Sequence, residues 1–181
     1  YYVKKLEEVF IEATPYDACA AIVFEPVQGE GGFVPAPIEW VKAVRKICDE
    51  HGILMICDEV QCGWARSGKM FASQYFAEAG AAPDIMSTAK SIAGGLPLSA
   101  VTARAEIMDA VPGGTIGGTY GANAVSAASA LKVVEVMERD DYPAKAMHIA
   151  DVATKAFNEW KEKYECVGDV RGLGAMIGIE F

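Results

Sequence analysis

The chain switches between short unbroken apolar runs and longer stretches in which apolar residues return every three or four positions. Residues 20–24, "AAIVF", and 53–57, "ILMIC", are apolar throughout, and acids follow each: Glu25 after the first, Asp58 and Glu59 after the second. Runs of that length without alternation predict strands buried in a parallel-type sheet. Between them, residues 37–51 carry Ile38, Val41, Val44, Ile47 and Cys48 at helical spacing, closed by Gly52. That pattern predicts a helix with a glycine stop, and strand, helix, strand predicts a right-handed crossover unit. "PDIMSTAK", residues 83–90, and "LPLSAVTA", residues 96–103, predict a third and a fourth strand. Residues 121–139 predict a helix, with Val125, Leu131, Val134 and Met137 among alanines, and residues 142–164 a second, with Ala146, Ile149, Ala153, Phe157 and Trp160 on one face. Beyond residue 164, "CVGDVRG" and "AMIGIEF" are strand-like. The expected division is a larger unit over residues 1–150, then the end of a helix and the start of a smaller unit over residues 151–181. The opening "YYVKKLEEVF" reads as the amphipathic end of an element already under way, and both ends are expected to lie inside a longer protein.

Composition narrows the function more than the fold. With 181 residues, 52% hydrophobic and 23% charged, the chain can bury one core of ordinary domain size. A net charge of -9 gives no electrostatic reason to expect nucleic acid or an anionic membrane surface, and no apolar run approaches the ~20 residues of a membrane span. Cys19, Cys48, Cys57, Cys62 and Cys166 are an odd number, three of them within apolar or helical patterns. They read as free thiols in a reducing cytoplasm. His51 and His148 are the only histidines, so no second cluster completes a metal site around Cys57 and Cys62, and no metal is expected.

Open α/β sheets bind ligands at the carboxyl ends of their strands, which directs attention to residues 25–32, 58–63 and 87–90. A nucleotide site is superficially present, because "GWARSGKM" nearly matches the phosphate-loop pattern behind an apolar strand and an acid. The match fails on chemistry: Met70 stands where a hydroxyl must reach magnesium. "GEGGF" likewise lacks the third glycine of a dinucleotide fingerprint. Lys90 carries more information. It follows the apolar "IMSTA" and precedes Ser91, Ile92 and a glycine pair, on the sheet edge expected to hold Asp58. A lysine that loses its proton in a confined site is a Schiff-base nucleophile, and a neighbouring carboxylate can hold a cationic ring nitrogen. Pyridoxal phosphate requires that pair.

With these residues in view, the sequence resembles the class III (omega) aminotransferases of fold type I. The resemblance is carried by "IVFEPVQGEGGF", "CDEHGILMICDEVQCGWARSGKMFA", "PDIMSTAKSIAGGLPLSAV", "GGTIGGTYGANAVSAASAL" and "GDVRGLGAMIGIEF", five blocks in the family's order over nearly the whole chain. It implies a three-layer α/β/α large domain with a mostly parallel sheet, leading into a small α+β domain, and pyridoxal 5'-phosphate as cofactor. It also implies that Asp58 pairs with the pyridine nitrogen, Val60 packs against the ring, Gln61 hydrogen-bonds the ring hydroxyl and Lys90 forms the internal aldimine. Thr119 would reach the cofactor phosphate of a neighbouring subunit, making a homodimer the functional unit. Glu25 matches a glutamate that pairs with a substrate-gating arginine. The phosphate-cradling segment, the aromatic covering the other ring face and the gating arginine would lie outside this chain. Glu59 reads as a structural strand-end acid and Arg66 as a loop or dimer-contact charge. The implied reaction is transamination from an omega-amino acid, foremost 4-aminobutyrate, to 2-oxoglutarate, giving succinate semialdehyde and glutamate. Acetylornithine, ornithine or diaminobutyrate chemistry, and a non-catalytic assembly module, are the alternatives.

Overall fold

A computed structural model describes residues 1–115, 117–119, 121 and 123–181. In chain order its elements are α1 (Tyr2–Glu12), β1 (Ala21–Phe24), β2 (Val27–Gln28), β3 (Val34–Pro35), α2 (Ile38–His51), β4 (Leu54–Asp58), α3 (Ser73–Glu78), β5 (Ile85–Thr88), β6 (Ala100–Ala103), α4 (Ala105–Met108), α5 (Ala124–Arg139), α6 (Tyr142–Lys163), β7 (Asp169–Leu173) and β8 (Met176–Glu180). The main sheet runs β1-β4-β5-β6. Its first three strands are parallel and β6 returns antiparallel. The α/β class and the mostly parallel sheet therefore stand. β2 with β3 and β7 with β8 form two antiparallel hairpins.

The core lies between the sheet and its helices. Val41, Val44, Ile47 and Cys48 make one buried stripe on α2, and they meet Met55 and Cys57 of β4, Phe10 of α1 and Phe76 of α3. Gly52 ends α2 as expected, with φ 67° and its N–H donating to the Cys48 carbonyl. Asp84, at the entry to β5, ties the strands together: it accepts from the Met55 N–H at 2.7 Å and from Arg45 Nη1 at 2.8 Å.

The other face of the sheet is open. Register places Val23 opposite Ile56, and Asp58 opposite Ser87, which is itself opposite Val101. By strand alternation Ile56 and Asp58 share a face, and on it Val23 is 62% and Val101 58% exposed. The apolar faces read on α5 and α6 are also only partly buried. Met137 and Ala146 are covered, while Val125, Leu131 and Ile149 are exposed. The expected start of α5 at Gly121 is corrected to Ala124, because the Asn123 side chain accepts from the Val125 and Ser126 N–H groups and so caps the helix. The fourth strand is shorter than its apolar run, beginning at Ala100 rather than Leu96. Ile116, Tyr120 and Ala122, within the glycine-rich motif of the sequence reading, lie outside the described residues.

Candidate active site

The ends of the parallel strands β4 and β5 place Asp58, Gln61 and Lys90 at one edge of the sheet. Asp58 closes β4, and its Oδ1 accepts from the Val60 N–H at 2.9 Å and from Ser87 Oγ, on the adjacent strand, at 3.2 Å. Among the described residues Oδ2 carries no such bond, so one oxygen orients the carboxylate and the other is available. Two residues past β5 the chain turns sharply. Lys90 has φ 49°, in the left-handed region that a side chain rarely adopts, and opens a single 3-10 turn, Lys90–Ala93, closed by Gly94 at φ 59°. The turn aims the amine back at the β4 end, where Nζ donates to Gln61 Oε1 at 2.6 Å.

Gln61 is held from the opposite side by the loop after β2. A methyl group added at Gly29 would sit 2.6 Å from the Gln61 amide carbon, so the absence of a side chain there gives the amide its place. The Gly29 N–H in turn donates to Glu25 Oε2 at 2.6 Å. Glu25 thus lies one hydrogen bond from the loop that abuts Gln61, and Gln61 lies one from Lys90. The chain brings Glu25, Asp58, Val60, Gln61 and Lys90 together. Thr119 is exposed on a separate loop and has no hydrogen bond to these groups among the described residues.

Two cavities meet at Lys90. The larger, about 520 Å³, lies between the 90–95 turn and α5, with Ser129, Lys132 and Val133 on its far wall. The smaller, about 270 Å³, is walled by Phe33, Gln61, Arg66, Ser91, Ala175 and Met176. Arg66, read from sequence as a loop or dimer-contact charge, borders this cavity. Phe33 and Met176 were not anticipated as site residues, and Ser87 fell within the strand end singled out from sequence but without a role. Ser87 becomes recognisable only once register sets it beside Asp58, and Met176 only once the β7–β8 hairpin docks near the cleft. Neighbouring Glu59 is fully buried and faces away from this chemistry, toward the Ala72 and Ser73 N–H groups.

A carboxylate oriented through one oxygen and an amine bonded to an amide rather than an acid fit the donor set that pyridoxal phosphate needs. Comparison with known proteins agrees. The class-III aminotransferase family model matches residues 2–181. The chain is 47% identical over 179 residues to the 5-aminovalerate aminotransferase DavT of Pseudomonas putida, covering 98% of this chain and 41% of that protein. It is 48% identical over 169 residues to the 4-aminobutyrate aminotransferase GabT of Escherichia coli, covering 93% and 39%. It also superposes on the crystal structure of a taurine:2-oxoglutarate aminotransferase from Bifidobacterium kashiwanohense, in complex with PLP and glutamate. That match has TM-score 0.90 and 31% identity and covers 98% of this chain and 40% of that one. The chain thus spans about two fifths of the length of the relatives it matches. Matched along almost all of its residues by that family model, the chain belongs to the class III aminotransferases.

Proposed function

We propose that the protein containing this chain transfers the amino group of an omega-amino acid, foremost 4-aminobutyrate, to 2-oxoglutarate, giving succinate semialdehyde and glutamate, with pyridoxal phosphate as cofactor. The observation that carries the reading is the Asp58–Gln61–Lys90 arrangement, in which Lys90 Nζ meets Gln61 at 2.6 Å and Ser87, on the adjacent strand, orients the Asp58 carboxylate. When bound, the cofactor supplies an aldehyde for amines and an electron-accepting pyridine ring. Asp58 would pair with the ring nitrogen and hold its proton, so that the ring could accept electrons. Gln61 would donate its amide N–H to the ring hydroxyl, and Val60 would pack against one ring face. Lys90 would hold the cofactor by its aldehyde and, as the free amine, would be the group that moves the substrate proton, first as base and then as acid. Glu25 would pair with a substrate-gating arginine while the omega-amine is bound and release it for a carboxylate of 2-oxoglutarate. Thr119 binds the cofactor phosphate of a second subunit in a homodimer.

The 4-aminobutyrate reading is supported by the Escherichia coli relative, and 5-aminovalerate by the Pseudomonas putida relative at nearly equal identity. The two amines differ by one methylene, worth about 0.8 kcal/mol of burial, so both are expected as donors within about tenfold. The test is glutamate formation by the whole protein from 2-oxoglutarate and each of 4-aminobutyrate, 5-aminovalerate, ornithine, N-acetylornithine and 2,4-diaminobutyrate. Parallel double-reciprocal lines, with the two linear omega-amino acids preferred, are the expected result. Absence of glutamate with every donor, in protein that holds the cofactor, would refute the proposal.

A further inference from the structure

The acid beside Asp58 is among the most completely enclosed polar groups of the chain. Glu59 is 0% exposed, and its carboxylate accepts three hydrogen bonds, all from neutral donors: Ser73 N–H to Oε1 at 2.6 Å, Ala72 N–H to Oε2 at 3.1 Å and Cys62 Sγ to Oε2 at 3.3 Å. Two of the donors lie 13 and 14 residues along the chain. The side chain therefore closes the segment of residues 60–71, and that segment carries Val60, whose N–H orients Asp58, and Gln61 and Arg66, which line the smaller cavity at Lys90. Backbone contacts reinforce the closure, since the Glu59 N–H donates to the Ser87 carbonyl at 2.9 Å and its carbonyl accepts from Gly63 at 3.0 Å. Cys62 also donates to the Asp58 carbonyl at 3.5 Å. Burial, and then the Glu59 carboxylate, push the Cys62 thiol well up, so it stays protonated and remains a donor.

We infer that Glu59 is a positioning residue for the cofactor ring. By fixing both ends of the 60–71 segment it sets the direction of the Asp58 carboxylate, through the Val60 N–H, and the placement of Gln61 against Lys90. The inference rests on the proposed cofactor site and adds a residue that touches neither cofactor nor substrate. A carboxylate is the group the place requires. Its two oxygens accept from donors on both sides, whereas a glutamine would turn an NH2 toward at least one N–H that then has no acceptor.

The test uses the whole protein loaded with pyridoxal phosphate and reads the cofactor dissociation constant, the pH midpoint of the visible absorbance band and the thermal unfolding midpoint. Glu59→Gln is expected to weaken cofactor binding about tenfold and to move the pH midpoint of the band, as a displaced Asp58 and Gln61 require. Cys62→Ala removes one donor, leaves the carboxylate in place, and should weaken cofactor binding about twofold to threefold and move the pH midpoint in the same direction by less. A lowered unfolding midpoint with unchanged cofactor affinity and unchanged pH midpoint in both variants would reduce Glu59 to a purely structural acid and overturn the inference. If Glu59→Gln does not fold, the same unchanged values in Cys62→Ala overturn it. A wild-type protein without the absorbance band would refute the cofactor site itself, an outcome distinct from either.

Discussion

The turn at residues 58–63 and the loop at residues 109–123 both carry groups assigned to the cofactor, yet they are built in opposite ways. In the turn, Asp58 reaches Ser87, Gln61 reaches Lys90 and Glu59 reaches Ala72 and Ser73. Each of these bonds spans at least 13 residues of chain. In the loop every described residue is exposed, and its hydrogen bonds close over short distances, as from Thr115 to Pro112 and from Gly121 to Gly118. A segment held only by its own neighbours takes its working shape from whatever packs against it. Among the described residues, the ring side of the proposed site is held by bonds within this chain, whereas the loop carrying Thr119 shows only local ones.

Four substitutions test that contrast, beginning with the one expected to do most. Lys90→Ala should lower turnover by at least about 10⁴-fold and remove the visible absorbance of bound cofactor, because both the anchoring amine and the proton carrier are lost. Asp58→Asn should cut kcat by about 10² to 10³ while leaving the fold intact, since an amide oriented by Ser87 and Val60 cannot hold a positive charge on the ring. Steady-state kinetics with a matched unfolding scan reads both effects. Thr119→Ala should act differently, raising the cofactor dissociation constant about tenfold through one lost charge-assisted bond, with the pH dependence of the absorbance unchanged. A shift of that pH dependence as large as the one in Asp58→Asn would erase the distinction between the two regions. Gly29→Ala is the smallest and sharpens it. The new methyl displaces the Gln61 amide, and the expected cost is about fivefold in cofactor affinity, measured by equilibrium titration.

Those parts of the fold that rest on local signals were legible in the sequence. The stripe on α2, its Gly52 stop and the apolar runs of β1, β4 and β5 each depend on residues within one element, and each is found within one or two positions of its expected place. What depends on pairing was not. The opposition of Asp58 and Ser87 is a matter of register, and the contact of Gly29 with Gln61 joins residues 32 apart. The antiparallel return of β6 and the shortening of its run likewise come from the partner strand, which pairs only through Ala100 to Ala103. The start of α5 could have been read correctly, since Asn123 is a strong capping residue, but the alanine-rich stretch drew the boundary too early. For the site, residue types identified Lys90 and Asp58, whereas the role of Glu59 became visible only with its partners at Ala72 and Ser73.

Identifying the lysine that holds the cofactor tests the whole reading most directly. The protein is equilibrated with pyridoxal phosphate, reduced with borohydride, digested, and the modified peptide sequenced by mass spectrometry. The Asp58–Gln61–Lys90 arrangement predicts a single stoichiometric label on Lys90, abolished in Lys90→Ala and reduced in Glu59→Gln. Stoichiometric label on another lysine, with Lys90 unmodified, would contradict it.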